Sequence, residues 1–497
     1  MSAALVAPPP AAAAQPVKMP GAVAHVEYDG MQKLHYEYGP IPIAPGQNTI
    51  EFEPNQLKPQ VPGYITRFEP NLIRRNGDVP GVDEIHLHHG VWLMRNYPTF
   101  AAGEEKTIFQ FPRGFGYRYA PEDPWIINHM IHNLLPGRDS VYLTYDIDFV
   151  PMDSPAAQQI AEAKPLWMDV AGISLYPVFD VKRGWGGSDG RYTFPDEVAT
   201  AAERRKIGSA HRFRADQDMT LIWTGGHLHP GGISTDLEVR RGEHDVDIFK
   251  SQAKYWEPAG AVSWDVAMTV TKPDWRVKVS PGDELRLSAT YDTTRAAWYE
   301  SMGINFVWYV DGHTPDAKDP FVEPVSARGE ITHGHLPEND NHGGGRIGLP
   351  DPRRLLAGPV TRAVRIEDFV YGRGDLTNTG RLGRPPVVRR GRSLKFENRD
   401  SPRDIWHTIT ACKEPCNERT GIAYPLADGR VQFDSGQLGY ERRWGGVPTA
   451  QRDTWRTPKN LRAGTYTYFC RVHPFMRGAF RVKGKRRARV RKAPLAR

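Results

Sequence analysis

The chain has 497 residues and a formal net charge of +7, with 65 Lys and Arg against 58 Asp and Glu. This length is enough for two to four domains. The positive charge is concentrated in residues 483–497, which hold eight basic residues and no acidic one. The remainder is close to neutral, and nothing in the body of the protein suggests nucleic-acid binding. No apolar run approaches the length of a membrane-spanning helix.

Short apolar segments separated by Gly, Pro and polar turns recur along the chain, and no long amphipathic helix stands out. This pattern is typical of an all-β protein. The predicted segments, in chain order, are an N-terminal Ala/Pro-rich segment, 1–21; a first β-sandwich, 22–165; a second β-sandwich, 166–311; a Gly/Pro/His-rich linker, 312–357; a third β domain, 358–482; and a basic tail, 483–497.

Residues 1–21 have part of the character of an export signal. The segment lacks the basic start and unbroken apolar run of a complete signal peptide, but Ala12-Ala13-Ala14-Gln15 is typical of a cleavage site. Although no complete signal peptide is present, we expect the protein outside the cytoplasm (secreted, periplasmic or at the cell surface), because the copper–thiolate chemistry that the C-terminal motif described below predicts favours export. The basic tail at the other end is either a solubilising segment or a contact with an anionic surface.

The first β region contains two groups of histidines. Strands are predicted at 47–52, 64–68 and 141–146, and a short helix is predicted at 154–164. The histidines are His86, His88, His89, His129 and His132. Imidazole is the commonest metal ligand among side chains, so both groups are candidate metal sites.

The second β region contains an H-x-H motif, His227 and His229. Its predicted strands are 219–223, 275–279 and 284–289. On a strand, side chains two residues apart share a face, so His227 and His229 can bind one ion and leave Leu228 to the core. A pair of hydrogen-bonded surface histidines is the alternative explanation.

Residues 312–357 are rich in Gly, Pro, Asp and His and show no periodicity, which predicts a long linker. Three of its histidines, His333, His335 and His342, lie close together in the second half of the segment. These side chains make the linker a candidate tract for metal sequestration.

The third β region ends in Cys470-Arg471-Val472-His473-Pro474-Phe475-Met476. A thiolate, an imidazole and a thioether thus lie within seven residues, between strands predicted at 465–469 and 478–482. His407, which follows a turn and strand at 391–398, supplies a second imidazole. Two His and one Cys in a trigonal plane, with a weak axial Met, form a blue copper site. The alternative is a core cysteine with an incidental histidine and methionine.

Residues 358–482 resemble the cupredoxins, and the His-Pro-Phe-Met-Arg-Gly loop is most similar to that of amicyanin. The resemblance implies a Greek-key β-sandwich. Its copper ligands would be His407, Cys470, His473 and Met476. Multicopper oxidases place a histidine on each side of the cysteine, whereas Phe469 and Arg471 flank Cys470 here. This copper is therefore expected only to carry electrons.

The two remaining cysteines, Cys412 and Cys416, are separated by three residues. An even remainder in an oxidising compartment predicts a local disulfide between them. A cytosolic dithiol and an additional Cu(I) site are the alternatives.

Residues 42–312 resemble the peptidylglycine α-hydroxylating and dopamine β-monooxygenase family in the order of their motifs. The motifs are His88-His89, His132, the pair His227/His229, and Met302 within Glu300-Ser301-Met302-Gly303. The resemblance implies two jelly-roll-like β-sandwiches, each with one copper. The first copper would have the ligands His88, His89 and His132, with His86 or His129 as alternatives. The second copper would have the ligands His227, His229 and Met302.

The sequence departs from that family at three points. The family's several disulfides cannot form with only three cysteines in the chain. Gly225-Gly226 replace a carboxylate-binding arginine, and Phe306 replaces a tyrosine. A peptidylglycine substrate is therefore not expected.

Together the two resemblances imply a copper monooxygenase. Copper at His227, His229 and Met302 would react with O2 and hydroxylate a C–H bond of an organic substrate, and an external donor would supply electrons through the copper at Cys470. One alternative is an electron-transfer or copper-binding protein with a non-catalytic front half. Another is a surface protein whose histidines sequester metal, chiefly in 312–357.

Overall fold

A computed structural model describes the following stretches of the chain: 23, 25–54, 56–172, 176–198, 200–257, 260–339, 349–377, 383–412, 430–440 and 451–484. Strands make up 49% of the structure and helices 5%, so the predicted all-β class is confirmed. None of the helices in these stretches is long and apolar enough to cross a membrane. The segment predicted at 1–21, and all but the first two residues of the tail predicted at 483–497, lie outside the described residues.

The first ten strands, β1 to β10, form two facing sheets. Their bounds are Gln32–Ile43, Ile50–Pro54, Gly63–Arg74, Ile85–Met94, Tyr97–Ala102, Phe109–Gln110, Phe115–Tyr119, Trp125–Asn133, Asp139–Pro151 and Ala161–Glu162. One sheet has the order β1-β9-β3-β7-β10, with β6 on β3, and the other has the order β2-β8-β4-β5. Phe68 of β3 packs on Trp92 of β4 with ring centroids 4.8 Å apart, and Trp92 packs on Tyr145 of β9 at 5.6 Å. These rings fill the space between the two sheets of a β-sandwich.

Strands β11 to β23 and a one-turn helix, α1, form the second unit. The strand bounds are Lys164–Asp169, Phe179–Val181, Arg191–Phe194, Arg212–Arg214, Met219–Leu228, Gly232–Arg241, His244–Tyr255, Val266–Val270, Val277–Val279, Glu284–Asp292, Trp298–Ser301, Gly303–Asp311 and Glu330–Ile331, and α1 is Ala201–Arg204. The main sheet has the order β11-β22-β15-β18-β17-β16-β20-β13, with β14, β19 and β23 paired to its members. Strands β12 and β21 form a separate pair.

Strands β24 to β31 form the C-terminal unit. Their bounds are Ala363–Ile366, Val387–Arg389, Lys395–Asn398, Thr410–Cys412, Val431–Asp434, Thr454–Arg456, Gly464–Phe469 and Arg477–Lys483. One sheet has the order β24-β26-β29 and the other β25-β31-β30-β27-β28. Phe396 of β26 packs on Tyr468 of β30 with ring centroids 5.1 Å apart, so the two sheets enclose an aromatic core. The strands predicted at 465–469 and 478–482 lie within β30 and β31.

Aromatic side chains join the units to one another. Phe100 packs on Trp308 at 5.3 Å, and Phe109 stacks on Trp223 at 4.7 Å, so one apolar cluster spans the first two units. Phe469 of β30 packs into the core of the second unit. Apolar burial contributes about 25 cal/mol per Å². These contacts therefore fix the positions of the functional side chains that lie between the units.

Two segments differ from their prediction. The part of 312–357 that the structure describes packs against the second unit rather than forming a free linker: Lys318 N–H donates to Arg276 O at 3.2 Å, and β23 pairs with β18. The helix predicted within 154–164 is a single 3-10 turn, Pro155–Gln159, followed by β10.

Candidate metal centres

Three ligand atoms converge at one end of the C-terminal unit. Cys470 Sγ lies 3.9 Å from His407 Nδ1 and 3.7 Å from His473 Nδ1, and the two Nδ1 atoms are 3.2 Å apart. A point equidistant from the three atoms lies about 2.1 Å from each, close to metal–nitrogen and metal–thiolate bond lengths of ~2.0–2.3 Å. All three residues are fully buried. The predicted trigonal donor set is therefore brought together, and it fits copper.

The short connection between β30 and β31 holds Cys470 and His473 in place through hydrogen bonds within its own backbone. Cys470 N–H donates to Met476 O at 3.3 Å, and Met476 N–H donates to His473 O at 2.9 Å. Pro474 stiffens the turn by fixing its φ angle. Met476 is fully buried in the same core as Cys470, where its thioether can serve as the weak axial ligand.

Two backbone amides stabilise the sulfur as a thiolate. The N–H groups of Thr408 and His473 donate to Cys470 Sγ, each at 3.3 Å. Burial alone raises the pKa of Cys470, but the His407 and His473 side chains outweigh burial and hold this pKa well below its ordinary value. The metal-binding form of the side chain is therefore the favoured one.

Asp400, which the sequence analysis did not identify, orients His407. Its Oδ2 lies 2.8 Å from His407 Nε2, so the other ring nitrogen is turned toward the sulfur. Burial raises the pKa of Asp400, but the hydrogen bond and charge of His407, together with the Asp368 N–H, outweigh it and lower this pKa below the usual range. An ionised carboxylate on the non-ligating nitrogen fixes the tautomer and orientation of a metal-binding histidine.

We expect Asp400→Asn to lower the affinity of this centre for copper by about 10–100-fold, because His407 loses its anionic partner. Competition with a copper chelator measures the change. The matched control is Asp368→Asn, because the Asp368 carboxylate is exposed and pairs with Arg403 at 2.8 Å away from the ligands. Equal affinities for Asp400→Asn and wild type would show that His407 is oriented by other contacts.

A bulge in β4 changes which of its histidines share a face. His86 pairs with His132 of β8 and His89 pairs with Met130, while the register shifts just before His89. His132 and Met130 are two residues apart and share a face, so His86 and His89 share that face as well. A regular strand would place residues 86 and 89 on opposite faces. The extra residue at the bulge, His88, removes this difference.

Four histidines from both sandwiches meet beside Trp264. The ring centroid of His88 lies 4.3 Å from those of His132 and His229, and the His86 centroid lies 4.8 Å from that of His132. Trp264 stacks on His86 at 4.6 Å and lies 4.9 Å from His88 and from His229. We call His86, His88, His132 and His229 the interface cluster.

The other predicted ligands face an adjacent apolar cavity. His89, His227 and Met302 all line this cavity, and we call them the pocket set. His227 Nδ1 lies 3.0 Å from the buried carboxylate of Glu105, which orients its ring. His89 Nε2 lies 3.2 Å from Asn128 Oδ1.

The structure keeps members of the predicted sets His88/His89/His132 and His227/His229/Met302 close together, with ring centroids 5.7 Å apart for His88 and His89 and 5.1 Å apart for His227 and His229, and it adds contacts between the two sets. It places His88 beside His229, and it places His89 on the same cavity as His227. His129, the alternative to His132, is the neighbour of Met130 on the other face of β8 and lies 6.2 Å from the Tyr38 ring. His86, the second alternative, does join His132.

Every histidine of the interface cluster and the pocket set has one buried nitrogen with no hydrogen-bond partner. These atoms are His86 Nε2, His88 Nδ1, His89 Nδ1, His132 Nε2, His227 Nε2 and His229 Nε2. The opposite nitrogens of His86 and His229 contact backbone carbonyls, Val82 O at 3.2 Å and Glu300 O respectively. A metal-binding histidine typically has a hydrogen bond on one ring nitrogen and leaves the other nitrogen for the metal, so these residues fit a metal.

Burial also keeps the rings of the interface cluster neutral. It lowers the pKa of His86 to about 3 and holds the pKa values of the other three members well below the ordinary value. Neutral imidazole is the ligating form. Within the described residues, the ligand atoms that all lie within 4.8 Å of one another belong to His407, Cys470 and His473. Binding of one ion by three rings of the interface cluster therefore requires those rings to rotate.

We expect Gly103→Ala to displace His227. The added Cβ would lie 2.5 Å from His227 Cε1 and 2.7 Å from Glu105 Oε2, which is closer than van der Waals contact allows. Copper other than that at Cys470 should be lost while the blue colour remains, as measured by copper content and visible absorbance. The control is Gly137→Ala, where the new Cβ meets nothing within 4 Å. Unchanged copper content in Gly103→Ala would remove His227 from the ligands.

A small cavity of about 110 Å³ separates the C-terminal centre from the interface cluster. His86 and His132 line one side, and Arg471 and Pro474, next to the Cys470 and His473 ligands, line the other. Glu300, another residue missed by sequence reasoning, also lines it. Burial raises the pKa of Glu300 to about 7, against the opposing hydrogen bond from Gln437 Nε2 at 3.0 Å.

The remaining candidate ligands are histidines of 312–357 and the two cysteines outside the C-terminal loop. His333 is buried and both its ring nitrogens contact backbone carbonyls, Gly334 O at 2.7 Å and Glu105 O at 2.6 Å, so it presents no free ligand atom. His342 lies outside the described residues. Cys412 is disulfide-bonded, while Cys416, its predicted partner, also lies outside the described residues.

No protein-family model matches the chain, and no curated protein matches it. Among solved structures, the chain is similar to the oxidised state of a mutant amicyanin, at 18% identity over 29% of this chain and 100% of that chain, with a TM-score of 0.15. It is also similar to a Cu-containing nitrite reductase from Thermus scotoductus, at 14% identity over 53% of this chain and 55% of that chain, with a TM-score of 0.15. These identities and TM-scores are too low to assign a function, so copper is assigned from the geometry of the ligands.

Proposed function

We propose that the protein is a copper-dependent oxidoreductase, specifically a monooxygenase, whose C-terminal centre passes electrons to copper held between the first two units. The reaction would place one atom of O2 in a substrate C–H bond and release the other as water, using two electrons and two protons. An external one-electron reductant would supply the electrons. Copper at these side chains supplies one-electron redox chemistry and reactivity toward O2.

One observation carries the proposal: a short path of one close approach and one hydrogen bond joins the C-terminal centre to the interface cluster. A Cβ added to Gly46 would lie 3.1 Å from His473 Nε2, so the edge of this ring lies close to the glycine. Gln47 O, in the next residue, accepts a hydrogen bond from Asn133 N–H at 3.0 Å, and Asn133 follows His132 in the chain. Because electron tunnelling decreases steeply with distance, one close contact and one hydrogen bond form an effective route.

The surrounding residues support this role, because they hold the histidines at both ends of the route in place and shield them from water. His473 is fully buried, and His132 is 8% exposed. Asp400 orients the other imidazole of the C-terminal centre, and Trp264 covers the interface cluster. A rigid, water-poor surrounding limits reorganisation when charge moves.

The same proposal places the protein outside the cytoplasm. Cys412 is disulfide-bonded, and disulfides persist in oxidising compartments. The basic tail would then meet an anionic surface or remain a solubilising end.

The test is reoxidation of the reduced, copper-loaded protein. The protein is reduced without oxygen and mixed with O2, and the return of the blue absorbance is followed with time. We expect rapid return in wild type and much slower return in His132→Gln, which removes the last residue of the route. The control is His129→Gln, because this histidine lies on the same strand but on the opposite face. Equal rates in wild type and His132→Gln would contradict the proposal.

A second candidate function is electron transfer alone, with a non-catalytic front half. The observation that favours it is the tight convergence of three ligand atoms at His407, Cys470 and His473, in contrast to the wider spacing of the interface cluster. A single copper per chain and no reductant-dependent O2 uptake would establish this alternative.

A further inference from the structure

The cavity bordered by the pocket set has a volume of about 340 Å³. Its walls are mainly hydrocarbon and aromatic surface, including Val91, Ala101, Trp167, Ile304 and Phe306. A dry cavity of about 150 Å³ holds one benzene molecule. The volume here therefore suits a larger apolar molecule.

The cavity extends from a buried end to a side that is open to solvent. His227 and Met302 lie at the buried end, being 3% and 2% exposed. Phe52 lies on the same cavity and is 43% exposed, which marks the side open to solvent. A molecule that enters past Phe52 therefore reaches the free nitrogen of His227 with its leading end.

The lining contains no charged side chain among the described residues. Its polar members are His89, Asn96, Asn128 and His227. A carboxylate or ammonium group would lose its hydration here without gaining an ionic partner from the protein, which is costly. Cu(I) held by His227 and Met302 would favour soft ligands over a carboxylate. Arginine, the usual partner of a carboxylate, is absent from the described lining. An uncharged apolar molecule gains about 25 cal/mol per Å² of buried surface instead.

We propose that this cavity binds an uncharged, mainly hydrocarbon molecule of about two-ring size, with the C–H bond to be oxidised directed toward His227 and Met302. The assignment of the reacting end rests on the monooxygenase function proposed above. The binding itself depends only on the shape and charge of the cavity.

The test uses the full chain in its copper-loaded, reduced form and two aromatic probes, naphthalene and 2-naphthoate, with binding measured by equilibrium dialysis without oxygen. We expect naphthalene to bind at least about thirtyfold more tightly than the carboxylate, because only the carboxylate leaves an unpaired charge in the cavity. Ala101→Leu fills the cavity and should weaken naphthalene binding to the same extent. The control is Ala253→Leu, at a half-buried position on β17 outside the lining.

Val91→Phe also fills the cavity, from a half-buried position, and is the second test variant if Ala101→Leu does not fold. Equal or tighter binding of 2-naphthoate, or naphthalene binding unchanged by both filling variants, would overturn the inference. Tight naphthalene binding with no reductant-dependent oxidised product would leave the cavity assignment in place and contradict the monooxygenase function. Oxidation of a charged substrate by a protein that does not bind naphthalene would support the monooxygenase function and overturn the cavity assignment.

Discussion

Replacing Cys470 by serine is expected to abolish the blue absorption of the copper-loaded protein completely. The absorption arises from charge transfer between a thiolate and Cu(II), and Cys470 contributes the sulfur that lies 3.7 Å and 3.9 Å from the two histidine nitrogens. Serine is close to cysteine in size, so the fold should be retained. Visible absorption together with circular dichroism measures both properties.

Val472→Ala is the control for this variant, since Val472 belongs to the same loop, is half-buried and offers no ligand atom. It should remain blue. A blue Cys470→Ser protein, or a colourless wild type after reconstitution with Cu(II), would contradict the assignment of the C-terminal centre.

The second large effect is expected from Met302→Leu. Met302 is 2% exposed and lines the cavity beside His227, where its thioether would favour Cu(I), the state that reacts with O2. Leucine keeps the volume and removes the sulfur, so the free energy of unfolding should fall by less than about 1.5 kcal/mol. Reductant-dependent O2 uptake should be lost while the blue centre remains.

Met268→Leu is the matched control for this result. Met268 is 1% exposed in the core of the second unit and lies outside both cavities. Uptake should persist in that variant. If copper content and O2 uptake are also unchanged in Met302→Leu, Met302 is only a core residue, and electron transfer alone becomes the preferred function.

The C-terminal centre could be predicted from the sequence because most of it is local. Cys470, His473 and Met476 lie in one short loop between two strands, so their spacing nearly determines their geometry. His407 required only the expectation that a nearby strand end faces this loop. Asp400 lies seven residues before His407 in a polar turn. Its role could not be predicted, because nothing in that turn specifies which carboxylate reaches the ring.

The histidines of the first two units could be identified from the sequence, but the contacts between the two predicted sets could not. A bulge at His88 decides which side chains of β4 share a face, and a register shift leaves no signal in the residue pattern. The approach of His88 to His229 depends on how two sandwiches pack, through contacts such as Phe109 with Trp223. Such packing follows from surface shape rather than from the motifs themselves.

The central claim is that one chain holds a blue copper centre and further copper between its first two units. Quantitative EPR combined with total copper content, measured on the copper-loaded wild type and on Cys470→Ser, tests it most directly. We expect more than one copper per chain, with a narrow-hyperfine signal that disappears in Cys470→Ser and a second, broader signal that remains. One copper per chain, with no EPR signal left in Cys470→Ser, would contradict the claim.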